Sequence, residues 1–211
     1  MGLTDAYLAA AEQAVAQLAV PELTAAWERP SALAELTVGA LAGHLAYQLF
    51  SVDPVLTAEP SPVPPIPLLE HYTRAVWVGA AVDSEVSTAL RAKAADFGGA
   101  GPQALADRAR ASLAGQRARL PELAGELPVF LPPTGWALCL DDFLVTRLVE
   151  LAVHLDDLAV SLGTVAPPFP ADAFEPVLTL LARLAVHRHG QAAVLRGLAR
   201  VDRAPAAINA L

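Results

Sequence analysis

Five polar side chains, Arg147, Glu150, His154, Asp157 and Ser161, recur at intervals of three and four along a segment otherwise dominated by leucine, valine and alanine. At about 100° per residue they fall within roughly 80° of one another on a helix, among Leu144, Leu148, Leu151, Leu155, Leu158 and Leu162. Ionisable groups amid that much apolar surface are costly to desolvate unless they pair, hydrogen-bond or hold a metal. Glu150 and His154 stand one turn apart, a spacing from which two side chains reach one ion. Two residues on one helix rarely enclose a metal, so a third ligand is needed. His44, one turn after Leu41 on another apolar helix, is the best candidate. Two imidazoles and a carboxylate suit zinc with an open fourth position, and also non-haem iron(II). Nothing else points to oxygen or redox chemistry, so zinc is preferred. A buried His–Glu hydrogen bond without metal satisfies the same spacing.

The neighbouring polar residues support that site in two ways. Asp157, close to one turn beyond His154, is placed to orient an imidazole from behind, as carboxylates do for ligating histidines. Arg147, close to one turn before Glu150, can neutralise that carboxylate or meet an anionic substrate, cofactor binding included; a structural ion pair is the simpler role. His71, at the start of a helix, and His187 and His189, in a basic cluster, read as surface residues. Cys139 reads as a small buried hydrophobe, and Trp27, Trp77 and Trp136 as core or pocket wall. No glycine-rich phosphate loop and no convincing Ser-His-Asp order is present.

Punctuation by proline and glycine sets the elements that carry these residues. A first helix is predicted from Thr4, as N-cap, to about Val20, stopped by Pro21. Trp27 to Ser31 reads as a loop and Thr37 to Phe50 as a second helix, with Val38, Leu41, Leu45 and Leu49 in helical period. The proline-rich run Asp53 to Pro67 predicts an ordered surface crossing. A third helix is expected over Leu68 to Phe97, ended by Gly98-Gly99, and a fourth from Pro102 to about Leu120, with Pro121 starting a short turn. Leu127 to Leu140 reads as a loop with an extended piece from Trp136. Asp141 or Asp142 is expected to cap the helix of the polar line, and Gly163 to close it. A last helix is predicted from Ala171 to about Arg200.

The 211 residues suit one domain spanning 1–211, and a composition rich in alanine and leucine with few aromatics predicts an all-α fold. The net charge of -8 disfavours nucleic acid as a partner. The exception is the C-terminal cluster of Arg183, His187, Arg188, His189, Arg196, Arg200 and Arg203, which reads as a solvated basic face, with anion binding as the competing role. No apolar run is long enough to span a membrane and no export signal is visible, so a cytoplasmic protein is expected, in keeping with a single cysteine.

Two blocks carry a family resemblance. Trp27-Glu28-Arg29-Pro30 with Leu36-Thr37-Val38-Gly39-Ala40-Leu41-Ala42-Gly43-His44-Leu45 resembles the amino-terminal signature of the mycothiol-dependent maleylpyruvate isomerase family, within the DinB-like superfamily. Arg147 to Ala159 resembles its second signature, with arginine, glutamate, histidine and aspartate at matching intervals. The resemblance implies a DinB-like four-helix bundle with accessory helices, and a divalent metal, zinc in characterised members, held by His44, Glu150 and His154. It implies mycothiol as a cofactor whose thiol the metal activates. A thiolate that adds to a conjugated double bond, lets the resulting single bond rotate and leaves again would isomerise a maleylpyruvate-type substrate. Larger members carry a C-terminal sterol-carrier-like domain that contributes to the site. A chain ending at Leu211 leaves no room for one, so Arg196, Arg200 or Arg203 would have to stand in for any arginine it supplies.

The leading expectation is therefore a metal-dependent isomerase or thiol transferase that uses a small thiol and acts on a small electrophilic or unsaturated acid. The alternatives are a non-catalytic metal- or ligand-binding bundle with a regulatory or stress role, and a zinc hydrolase that needs no thiol. A homodimer through an exposed apolar face is compatible with either.

Overall fold

The computed structural model describes residues 2–75, 92 and 96–211. It places eight α-helices and one hairpin among those residues: α1 (Leu3–Gln17), α2 (Pro21–Ala26), α3 (Val38–Phe50), α4 (Leu68–Arg74), α5 (Pro102–Arg119), β1 (Pro128–Leu131), β2 (Trp136–Cys139), α6 (Leu140–Leu162), α7 (Ala171–His189) and α8 (Gln191–Ala199). The fold is the all-α bundle that composition and periodicity predict. Helices α1 and α3 both pack against α5 and against α6, and α7 lies across α6 and α1.

Residue size explains the closeness of α1. Ala6, Ala10 and Ala14 repeat every fourth residue and are fully buried or nearly so, so α1 presents a smooth face to its neighbours. Leu41, Leu45 and Leu49 of α3 and Leu144, Leu148, Leu151 and Leu158 of α6 fill the interior, each such side chain contributing about 1.5–3 kcal/mol by leaving water. A polar pin crosses this core. The Tyr7 hydroxyl donates to Gln116 Oε1 at 2.8 Å, and Gln116 Nε2 donates to the Leu49 carbonyl at 2.9 Å and to Asp53 at 2.7 Å. Burial pushes the Tyr7 phenol far above its ordinary range, so it stays a neutral donor.

Several boundaries depart from expectation. Gly2, not Thr4, caps α1. Helix α1 ends at Gln17, short of the expected Val20, and Pro21 opens α2, because proline suits the first turn of a helix. Thr37 caps α3, accepting from the Ala40 amide at 3.1 Å. The proline-rich crossing begins with a 3-10 turn, Asp53–Thr57. The third helix does not run to Phe97: α4 ends at Arg74, where Ala75 turns extended. Much of the rest of that expected helix, Trp77 included, lies outside the described residues, and 96–98 are helical again before a turn at 99–100. The loop before α6 is a two-stranded antiparallel hairpin pairing Val129 with Leu138. Cys139 rather than an aspartate occupies the N-cap of α6, and Asp141 and Asp142 sit in its first turn, where carboxylates favour the helix dipole. Gly163 closes α6 at φ 71°, as expected. Gly190, at φ 80°, breaks the expected last helix into α7 and α8. Among the described residues no helix is long and apolar enough to cross a membrane.

Candidate metal centre

The site forms where α3 lies along α6. The apolar face of α3, anchored by the Thr37 cap and the buried leucines, sets His44 facing α6 with its side chain 20% exposed. The α6 periodicity brings Glu150 and His154 to meet it. His44 Nε2 and His154 Nε2 each lie 3.3 Å from the same oxygen, Glu150 Oε2. One ligand atom from each of the three residues lies within 4.8 Å of the others. The two imidazoles meet edge to face, with ring centroids 4.5 Å apart.

These separations fit a metal cradle as well as a loosely hydrogen-bonded cluster. Charge-assisted N–H···O bonds run to about 2.7–2.9 Å, and both contacts to Glu150 are longer. A tetrahedron with bonds of about 2.0–2.1 Å has edges of about 3.3 Å, which matches both. Three protein donors leave a fourth position, and the partial exposure of Glu150 and His154, 28% and 15%, keeps the cluster reachable from solvent. The donor set and its spacing therefore fit a divalent ion.

The surrounding groups prepare the donors. Asp157 Oδ2 lies 2.9 Å from His154 Nδ1; a proton on Nδ1 donated to that carboxylate leaves Nε2 as the ligating nitrogen. Burial opposes ionisation of Glu150, but hydrogen bonds from His154 and His44 and the charges of His154 and Arg147 hold its carboxyl well below the usual range. Burial likewise opposes a charge on His154, yet the bonds to Asp157 and Glu150 raise it to about 9, so an ion bound at Nε2 displaces a proton from it.

The structure brings four of the five polar-line residues to the cluster or its rim. Arg147 does not simply pair with Glu150. Its Nη1 donates to Gln48 Oε1 at 2.5 Å and to Ser51 Oγ at 3.4 Å, its Nε donates to Thr146 Oγ1 at 3.1 Å, and it lies 5.4 Å from the centroid of the Phe143 ring. Ser161 serves the fold: its hydroxyl accepts from the Ala32 amide at 2.8 Å and donates to the Asp157 carbonyl, tying the loop after α2 to the end of α6.

Sequence reasoning missed two residues here. Gln48 is 1% exposed and touches both His44 and Arg147. His71, expected at the surface, is buried and accepts a hydrogen bond from Trp136 Nε1 at 3.0 Å. No local pattern marks His71, because its partner comes from β2. His187 is exposed and His189 contacts the Asn209 carbonyl, and Arg183, Arg188, Arg196, Arg200 and Arg203 are exposed, as a solvated basic face requires. Cys139 is partly buried, and burial raises its thiol above the ordinary range, which suits an unreactive cysteine.

A protein-family model, the mycothiol maleylpyruvate isomerase N-terminal domain, matches residues 7–159, more than half of the chain and all of the cluster. Neither a curated protein nor a solved structure matches it.

Proposed function

The chain belongs to the mycothiol maleylpyruvate isomerase N-terminal domain family, and from that premise we propose that it is a metal-dependent enzyme using a low-molecular-weight thiol, mycothiol or a close analogue. It isomerises a small unsaturated acid or transfers the thiol to a small electrophile. The observation that carries this reading is the single carboxylate oxygen held 3.3 Å from two imidazole nitrogens, with all three side chains reachable from solvent. A structural metal site is closed by four protein ligands, whereas three ligands and an approach suit catalysis.

In this reading His44, Glu150 and His154 hold the ion, zinc rather than iron(II) because nothing else points to oxygen or redox chemistry, and Asp157 fixes the tautomer of His154. A divalent ion held there promotes ionisation of a coordinated thiol, and reversible addition of a thiolate to a conjugated double bond is the chemistry that isomerises it. Arg147 adds positive charge beside the cluster, where an anionic substrate or cofactor group is favoured. The leucines of α3 and α6 are buried in the core rather than turned to solvent.

The test is turnover of a cis-unsaturated dicarboxylic acid followed by ultraviolet absorbance, with and without added thiol. Turnover that needs both thiol and bound metal, and is lost in His44→Ala, is expected. Hydrolytic turnover without thiol would replace this reading with a zinc hydrolase. A metal-loaded protein inert with thiols, unsaturated acids and electrophiles would make it a binding module.

A further inference from the structure

Gln48 lies one turn beyond His44 on α3 and is 1% exposed. Its carboxamide is locked at both ends. Arginine carries donors and no acceptor, so the 2.5 Å contact from Arg147 Nη1 requires the Gln48 oxygen to face Arg147. The His44 backbone carbonyl can only accept, so the 3.0 Å contact from the other end requires nitrogen there. Arg147 is itself held by Thr146, whose hydroxyl donates to the Phe143 carbonyl at 2.6 Å and is therefore free to accept from Arg147 Nε at 3.1 Å. Every donor and acceptor in this chain agrees on one orientation, which turns the Gln48 NH2 toward the metal ligands.

One of its two hydrogens serves the His44 carbonyl. The second belongs to a nitrogen 3.3 Å from His44 Nε2, the ligating atom. An imidazole nitrogen that binds a metal has given up its lone pair and cannot accept. A nitrogen that donates to Glu150 cannot accept either, so this buried N–H finds no acceptor in His44 Nε2 with or without the ion, and a buried donor without one is costly. We propose that Gln48, oriented by Arg147, donates a hydrogen bond to the anionic ligand that enters the open coordination position, and so selects anions there. The inference rests on the metal site, and the thiolate of the reading above is one such anion.

The measurement is azide affinity of cobalt(II)-loaded protein, followed by the visible spectrum, for wild type, Gln48→Met and Gln48→Glu. Methionine keeps the volume and removes the donor; glutamate keeps the shape and places oxygen where nitrogen was. Cobalt stoichiometry and cobalt affinity of Gln48→Met should match wild type, which a residue acting by packing alone would not separate from azide binding, while the thermal midpoint falls because Arg147 loses its buried acceptor. Azide affinity is expected to fall about tenfold or more in both variants, as for the loss of a hydrogen bond to a charged group. Equal azide affinity in wild type and Gln48→Met at equal cobalt content would overturn the inference, as would a cobalt spectrum that azide leaves unchanged in wild type. If azide behaves as expected while no thiol supports turnover, the thiol reading fails and the role of Gln48 stands.

Discussion

Replacing His71 by glutamine isolates one proton that folding excludes. The imidazole is buried, and burial together with the charge of Arg147 pushes it down to about 4. The hydrogen bond agrees, since the indole N–H of Trp136 can only donate and Nδ1 must keep its lone pair to accept. An unfolded histidine titrates near 6.5, so between pH 6.5 and 4 the unfolded chain binds a proton that the folded chain refuses. The associated stability is complete above pH 6.5 and is lost as the pH falls toward 4. That depression corresponds to about 2–3 kcal/mol, the lower figure allowing for residual solvation beside the hairpin. Glutamine offers an acceptor to Trp136 but does not titrate. Urea unfolding at pH 7.5 and pH 4.5 should show wild type losing about 2 kcal/mol more than His71→Gln over that interval, with losses from the carboxylates common to both. Equal losses would refute the assignment of a neutral, buried imidazole.

Two further perturbations probe the site and its scaffold. Asp157→Asn leaves the three ligands in place and weakens the partner of His154 Nδ1; zinc affinity measured against a chromophoric chelator should fall about tenfold to hundredfold in a folded protein, and unchanged affinity would remove Asp157 from the site. In Gly39→Ala a Cβ would lie 2.6 Å from the Trp27 ring, so the denaturant midpoint should drop by an amount equivalent to about 1–3 kcal/mol, whereas a wild-type midpoint would mean that the ring moves aside freely.

What was legible in the sequence follows the range of the interactions. The cluster of His44, Glu150 and His154 could be read because two members share a helical face and the third sits on an apolar helix that must turn that face inward. The helix start at Thr37 and the stop at Gly163 are local chemistry and could be read the same way. Half of the hairpin could be read, the extended piece from Trp136 that is β2, whereas β1 opens with Pro128 and is only four residues long, too short to show a strand's alternation or its pairing. Pro21 reads as a stop in the sequence and is a start in the fold, because proline serves both. Gly190 falls within a run whose flanks are helical on both sides, and only its left-handed φ shows the break. Gln48 and His71 took their roles from Arg147 and Trp136, residues distant in sequence, and burial of a polar side chain against such partners leaves no periodic trace.

The central claim is that three side chains on α3 and α6 form a metal site. Metal content of untagged protein, purified without added metal, tests it most directly in wild type, His44→Ala and Glu150→Ala, each checked for native helicity. About one zinc per chain in wild type and none in either folded variant is the predicted result. A folded wild type that carries no metal, and binds none when zinc is supplied, would contradict it and leave the cluster as a hydrogen-bonded network.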